Sequence, residues 1–302
     1  MNPGPARLGR RAALAGAAAS VAAPAAAQFG FGLGTIFDVG KNLVDGLNLS
    51  EADELTMANE LYQPFIYQSG GAYQNARVQS AMRAFSQPIF ATSKRAAFRW
   101  EVTVVDDNTV NAWALPGGKI AVNKGLLRYV ANESELAAVL AHEMAHAELS
   151  HQLAQMKNKA FTEAATGAAK GVAMSAMRGA GGALTGVGLD VLRGPLHDMI
   201  TSGYGRENER EADKHILVVF QSTGFDPTGS TAFFRTLLEI VPPNQEGTTS
   251  LFSSHPGTKE RIANLEAEIP RTPRAGASAL SGQQFAEIKT SFPTRKVYRR
   301  NA

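Results

Sequence analysis

Two histidines four residues apart, His142 and His146, flank a glutamate in the sequence His-Glu-Met-Ala-His. Residues at this spacing share one face of an α-helix, so both imidazole rings can bind a single metal ion. Zinc is the usual occupant of such a pair, and the intervening Glu143 then lies beside a water molecule that the metal activates. The alternative is a helix that carries two ordinary histidines and a surface glutamate. The spacing favours a zinc site with Glu143 as the acid–base group.

The histidine pair lies in a segment with strong helical character. Asn132 can cap the N-terminus of a helix, and Glu135 follows at the capping-box position. Residues 133–156 are rich in Ala, Leu, Glu and Met and contain no Gly or Pro, which predicts one continuous helix. On that helix His151 is nine residues from His142, at about 100° per residue. We therefore expect His151 to face the opposite side and to be exposed to solvent.

A catalytic zinc ion needs a third protein ligand and an open coordination position. His197, His215 and His255 are candidates, but an acid-rich segment offers a better source. Within it Glu209 and Asp213 are four residues apart and share a helical face. One of them can bind the metal while the other accepts the second N–H of a ligand histidine, which fixes the tautomer of that histidine.

Four segments of the chain resemble, in the same order, the HtpX/CAAX-protease clan of zinc metallopeptidases. The first is Asn-Ala-Trp-Ala-Leu-Pro-Gly-Gly at residues 111–118, and the His-Glu-x-x-His motif follows it. The third is the Glu-x-x-x-Asp pair, and the fourth is His255-Pro256 with a following arginine. The chain resembles most the exported branch that includes BepA and LoiP, without the membrane-spanning helices or C-terminal repeats of other members. The resemblance covers residues 50–268 and departs from the pattern at Gly205, where many relatives have Ser.

The resemblance implies roles for individual residues. Glu143 is the general base and Glu209 is the acidic zinc ligand. We expect Asp213, one helical turn beyond Glu209, to support a ligand histidine. His255 and Arg261 lie over the metal in the clan. Arg261 would stabilise the developing oxyanion, whereas His255 would either donate to it or occupy the open zinc position. The resemblance also implies that one zinc ion per chain is bound by three residues, which are His142, His146 and Glu209.

The segment before the histidine pair has the period of β-strands. Trp100, Val102 and Val104 alternate with polar residues, which predicts a first strand. Residues 110–115 and 119–122 predict two more, separated by a Pro-Gly-Gly turn. Together with the resemblance, this pattern predicts an α+β, mostly helical fold of the zincin metalloprotease type. Its small antiparallel sheet has an edge strand that precedes the histidine-bearing helix.

Known members of the clan hold the substrate as an additional strand on this edge strand. The corresponding residues are Asn111, Ala112, Trp113 and Ala114. Pairing through the backbone suits unfolded or misassembled polypeptides, so the resemblance implies hydrolysis of their peptide bonds. The alternative is a chaperone-like holdase or assembly factor for envelope proteins, with a capped or structural zinc. The intact Glu143 argues against it, because a structural site needs no general base.

The N-terminus has the pattern of a cleavable signal peptide, residues 1–27. Arg7, Arg10 and Arg11 precede a run of small apolar residues that ends in an Ala-Ala-Ala cleavage site. Export by the Sec or the twin-arginine route predicts a periplasmic protein. The chain has 30 Lys and Arg against 27 Asp and Glu, and three arginines leave with the signal. The mature charge is therefore balanced and gives no case for a nucleic-acid partner.

The remaining segments differ in composition. Residues 28–49 form a Gly-rich leader that either packs loosely or touches a membrane surface, and residues 50–270 form the metallopeptidase domain. Residues 271–302 are a polar, partly basic tail. Residues 171–194, rich in Gly, Ala and Met, form either a mobile lid over the active site or poorly packed helices. The absence of cysteine excludes disulfides, thiolate zinc ligands and a cysteine nucleophile.

Overall fold

A computed structural model describes residue 1 and residues 49–156, 186–240, 251, 254–256, 258–271 and 282–294. The predicted signal peptide beyond residue 1, nearly all of the leader and most of the C-terminal tail lie outside these residues. The first part of the predicted lid also lies outside them, so the domain boundaries stay predictions. Within the described part of the chain, no helix combines the length and the apolar character needed to cross a membrane.

Helices make up most of the described chain, and three short strands form one sheet. The helices are α1 (Glu51–Gln68), α2 (Ala76–Phe90), α3 (Lys124–Leu127), α4 (Glu133–Glu148), α5 (Gly186–Ser202), α6 (Arg206–Thr223), α7 (Gly229–Ile240), α8 (Thr258–Glu268) and α9 (Gly282–Ser291). The strands are β1 (Glu101–Val105), β2 (Ala112–Leu115) and β3 (Lys119–Asn123). The predicted α+β, mostly helical fold of the zincin type is confirmed.

The sheet has the strand order β1-β3-β2. β2 and β3 form the predicted antiparallel hairpin, whereas β1 runs parallel to β3, so the sheet is mixed rather than antiparallel. The tight turn after β2 returns β3 between the other two strands and leaves β2 at the edge. Gly117 permits this turn because its φ is +80°, and a Cβ there would lie 2.5 Å from the backbone oxygen of Glu54.

Helix α4 is the central helix of the fold. Asn132 caps it as predicted: its Oδ1 accepts the backbone N–H of Glu135 at 3.0 Å, and Glu135 Oε2 accepts the N–H of Ala131 at 2.8 Å. The helix is buried along almost its whole length and packs against β2, α6 and α7. Burial on several sides explains why the helix is built from small and apolar residues around its histidines.

Helix α4 ends at Glu148, whereas the sequence predicted that it would continue. Ser150 adopts a left-handed φ of 54°, which turns the chain before residues 151–156 resume a helix. Ser150 Oγ accepts a hydrogen bond from Arg95 Nη1 at 3.0 Å and donates to Glu54 Oε1 at 3.2 Å. Tertiary hydrogen bonds thus hold a backbone conformation that is uncommon for a residue with a Cβ atom. The turn redirects every side chain that follows it.

Apolar side chains fill two clusters in the described residues. The smaller cluster joins α1, the edge strand β2 and α5, with Phe65, Trp113 and Leu196 among its members. The ring of His197 also stacks on Phe65, with ring centroids 6.4 Å apart. Helix α5 therefore lies against the edge strand that was predicted to bind substrate.

Candidate active site

The two histidines of the His-Glu-Met-Ala-His motif lie inside the protein. His142 and His146 are 5% and 0% exposed, and their Nε2 atoms are 3.1 Å apart. Glu143 between them is 1% exposed. A helix with ordinary histidines and a surface glutamate does not fit this burial.

Helix α6 brings one carboxylate to the histidine pair. Glu209 is fully buried, and its two carboxylate oxygens lie 3.4 Å from His142 Nε2 and 3.4 Å from His146 Nε2. Glu207 and Glu211 of the same helix are exposed. Among the acids at the start of α6, Glu209 is therefore the one that faces both histidines.

A third histidine reaches the same point from the segment before α8. His255 Nδ1 lies 3.1 Å from Glu209 Oε1 and 3.2 Å from His142 Nε2. Its other ring nitrogen, Nε2, lies 3.3 Å from Glu143 Oε1. The His255 ring therefore contacts both a predicted ligand and the predicted general base.

Four buried side chains can each offer one ligand atom within 4.8 Å of the others, and they are His142, His146, Glu209 and His255. Three imidazoles and a carboxylate are donors that zinc and other transition metals accept. Beside them, Glu143 Oε2 is buried and has no hydrogen-bond partner among the described residues. Convergent nitrogen and oxygen donors next to an unpartnered carboxylate oxygen fit a bound divalent cation.

Behind these ligands, Asp213 and Arg261 form a buried ion pair. Arg261 donates to both Asp213 oxygens, from Nε at 2.8 Å and from Nη2 at 2.7 Å. Asp213 Oδ1 lies 3.3 Å from His142 Nδ1, the ring nitrogen that faces away from Glu209. Arg261 Nη1 lies 2.6 Å from Glu209 Oε2. In this structure the Arg261 guanidinium therefore lies against Glu209 and Asp213, the two buried acids of α6.

The protonation states suit metal binding. Burial lowers the pKa of His146 to about 3, so its ring is neutral. Burial opposes ionisation of Glu143 and Glu209, but His255 and Arg261 respectively outweigh it and hold both pKa values below the usual range. A neutral imidazole and ionised carboxylates are the forms that bind metals. Burial also disfavours a charged His255, yet Glu209 and Glu143 raise its pKa to about 10.

Comparison with known proteins agrees with this chemistry. The sequence profile of peptidase family M48 matches residues 72–269. The chain belongs to this family. Its relatives include metalloprotease YcaL of Escherichia coli strain K12, 27% identical over 234 residues, which are 76% of this chain and 85% of YcaL.

Two further M48 relatives are longer than the matched region. The mitochondrial metalloendopeptidase OMA1 of Schizosaccharomyces pombe is 32% identical over 187 residues, 60% of this chain and 50% of OMA1. The beta-barrel assembly-enhancing protease of Escherichia coli strain K12 is 32% identical over 165 residues, 53% of this chain and 32% of the relative. The chain thus spans about half or a third of these two proteins. Family membership and the buried histidine–glutamate cluster make the chain a metalloendopeptidase, as the resemblance implied.

The predicted substrate strand of this M48 protein lies beside the cluster but is covered. Asn123 N–H donates to Asn111 O at 3.0 Å, so alternate residues of β2 face β3, and Ala112 and Ala114 direct their backbone groups to the free edge. Ala114 O accepts from Gln152 Nε2 at 3.4 Å. All four residues from Asn111 to Ala114 are buried, at 4% exposure or less.

Two residues at the M48 site were not predicted from the sequence. His151, predicted to be exposed on the far side of the helix, is 3% exposed, and its Nδ1 lies 2.9 Å from His146 Nδ1. The prediction was wrong because it extended an ideal helix through the turn at Ser150. The ring of Tyr204 stacks on that of His146, with ring centroids 3.7 Å apart. The sequence gives no strong signal for this tyrosine beyond its position just before the acid-rich helix.

Proposed function

We propose that this chain is a zinc-dependent endopeptidase of the bacterial cell envelope that hydrolyses peptide bonds of unfolded or misassembled proteins. The observation that carries the proposal is the convergence of two helix α4 histidines and Glu209 beside an ionised, buried Glu143. A structural metal site has no use for that buried carboxylate. The proposed location rests on the signal-like N-terminus and on a relative named as a beta-barrel assembly-enhancing protease.

In this proposal one zinc ion is held by His142, His146 and Glu209. When bound, zinc lowers the pKa of a water molecule to about 7 and polarises the scissile carbonyl group. Glu143 removes a proton from that water and later delivers a proton to the leaving amine. The unpartnered Oε2 of Glu143 supports this role, because it leaves one oxygen free to receive the proton.

Two residues over the site receive complementary roles. We propose that His255 occupies the open coordination position at rest, because its Nδ1 lies within the set of ligand atoms. This coordination requires release of the proton that Glu209 and Glu143 favour on the His255 ring. For Arg261, the contacts with Glu209 and Asp213 favour a role in holding these acids. Stabilisation of the oxyanion by Arg261, which the resemblance implies, would require one of its donors to turn toward the substrate.

The decisive test of this function combines metal analysis with a cleavage assay. We expect the purified protein to contain about one zinc ion per chain and to cleave casein. A chelator should abolish cleavage, and added zinc should restore it. A protein that suppresses aggregation of an unfolded polypeptide without cleaving it, with zinc or without, would support the holdase alternative instead.

We further propose that substrate reaches the edge strand only when α5 moves. Helix α5 contacts β2 and α1, and Leu196 in its middle is 1% exposed. An extended substrate needs the free edge of β2, beside which α5 packs. The end of the segment predicted as a lid, residues 186–194, belongs to this helix.

Weakening the packing of α5 should therefore raise activity. Leu196→Ala removes about 2 kcal/mol or more of packing, which corresponds to about a 30-fold or larger increase in the open population. We expect a comparable rise in the cleavage rate of a loosely folded substrate. Met82→Ala, at a fully buried position of the other cluster, is the matched control and should lose stability without gaining activity. Equal rates for Leu196→Ala and the unmodified protein would exclude α5 as a gate.

A further inference from the structure

The ring of His146 has a partner on each nitrogen. Its Nε2 faces His142 and Glu209 at 3.1 and 3.4 Å. Its Nδ1 faces His151 Nδ1 at 2.9 Å, a distance at which one nitrogen must donate and the other accept. Neither the metal site proposed above nor its general base uses His151, although this residue is almost completely buried.

The contacts fix where the protons lie if His146 is a metal ligand. A nitrogen that binds a metal carries no proton, so Nε2 of His146 is bare and Nδ1 carries the proton. The Nδ1–H group of His146 donates a hydrogen bond to His151 Nδ1, so His151 Nδ1 must carry no proton. His151 therefore carries its proton on Nε2, which lies 3.0 Å from Glu211 Oε2.

The chain of hydrogen bonds runs in one direction and ends at a group that can only accept. Glu211, as a carboxylate, accepts a hydrogen bond from the His151 Nε2–H group, and Nδ1 of His151 is then free to accept a hydrogen bond from His146. A doubly protonated His151 would place two N–H groups against each other.

We propose that His151, held by Glu211, is a positioning residue that fixes the tautomer and ring orientation of His146 for metal binding. The inference rests on the ligand role proposed for His146. The ring plane of Tyr204 is 12° from that of His146. This stacking restricts the tilt of the His146 ring, while the hydrogen bond to His151 sets its rotation in the ring plane. The left-handed turn at Ser150 is what brings His151 within reach, since a straight helix would carry it away.

The two ligand histidines of α4 are therefore supported differently. His142 faces Asp213, which is buried and bound to Arg261. The support of His146 passes through His151 and ends at Glu211, whose side chain is 53% exposed. A change at this surface glutamate should therefore reach the metal site through two hydrogen bonds.

The affinity for zinc is the first readout. We expect His151→Phe, which keeps a ring but removes the acceptor, to weaken zinc binding by about 10–100-fold in competition with a chromophoric chelator. His151→Gln should recover part of this loss, because its carbonyl oxygen can accept the proton of His146 Nδ1. Recovery by glutamine would not be expected if His151 only filled space.

Glu211→Ala tests the outer end of the hydrogen-bond chain. We expect it to weaken zinc binding several-fold, less than His151→Phe does, since water can replace part of the carboxylate. Glu207→Ala is the matched control: Glu207 is an exposed acid on the same helix, and it accepts from Arg210 instead. It should leave the zinc affinity unchanged.

The proton positions are the second readout, and they do not depend on activity. In the zinc-loaded protein, long-range ¹H–¹⁵N NMR spectra should show His146 protonated at Nδ1 and His151 at Nε2. A proton on Nδ1 of His151, or an unchanged zinc affinity in both His151→Phe and Glu211→Ala, would overturn the inference. If His151→Phe does not fold, Glu211→Ala and the spectra still decide.

Failure of the proposed function would look different. In that case the unmodified protein would not retain zinc, or His146→Ala would bind it as tightly. Failure of this inference alone would leave a zinc-binding protein that loses its metal in His146→Ala but not in the His151 and Glu211 variants.

Discussion

Replacing Glu143 by glutamine is expected to reduce peptide hydrolysis by about 10²–10⁴-fold while the metal stays bound. Glutamine has nearly the same shape as glutamate but cannot take a proton from water at neutral pH. Glu143 is 1% exposed, and its Oε2 has no hydrogen-bond partner among the described residues. The rate should therefore fall without a change in the fold.

The matched control is Glu133→Gln, which changes a partly exposed glutamate in the first turn of the same helix. We expect it to retain full activity. Zinc content and the unfolding transition of Glu143→Gln should equal those of the unmodified protein, and a loosely folded substrate should remain bound for long enough to be recovered with it. Substantial cleavage by zinc-loaded Glu143→Gln would remove this residue as the general base and direct attention to His255, whose Nε2 lies 3.3 Å from its carboxylate.

The sequence predicted the parts of the site that depend on local spacing. His142 and His146 lie on one helical face, and so do Glu209 and Asp213, because a four-residue interval means the same thing in any α-helix. The structure brings both pairs together across the α4–α6 contact. That contact itself is not a local property. It became predictable only through the resemblance, which supplied the order of the motifs and the place of His255.

Features set by tertiary hydrogen bonds could not be predicted in this way. The segment around Ser150 has good helical propensity, and nothing in it marks the turn that ends α4. The turn exists because Arg95 and Glu54, which are distant in sequence, both bind the Ser150 hydroxyl. The left-handed φ of Ser150 places His151 against His146 instead of on the solvent-exposed face that the sequence predicted.

The sheet shows the same limit. Alternation of apolar residues identified the first strand, and the Pro-Gly-Gly turn separated the two predicted strands that form the β2–β3 hairpin. The position of β1 was not encoded by alternation, because a strand pattern does not say on which side of a hairpin a third strand pairs. In the structure β1 pairs with β3 and runs parallel to it, so β3 lies in the centre of the sheet.

Arg261→Met is the second variant for which we expect a large effect, in this case on stability. The guanidinium is 2% exposed and forms two hydrogen bonds with Asp213 and a 2.6 Å ion pair with Glu209. Methionine fills a similar volume but leaves the buried Asp213 without a positive partner and Glu209 with His255 alone. Removal of one member of a buried ion pair costs about 3–5 kcal/mol, because the remaining charge stays desolvated.

The size of this loss should depend on zinc, which gives the prediction a sharp test. Bound zinc would neutralise Glu209 in place of the arginine, so denaturant unfolding should show a larger loss in chelator than in the zinc-loaded protein. Adding Asp213→Asn to Arg261→Met should recover part of the loss, since it removes the charge that the variant leaves unpaired. Arg210→Met is the matched control, because it breaks an exposed ion pair between Arg210 of α6 and Glu260 of α8. It should change stability little. Arg261→Met could instead unfold at the same denaturant concentration as the unmodified protein, both in chelator and with zinc. The guanidinium would then not hold Glu209 and Asp213, and its place in the site would have to be explained by contact with the substrate.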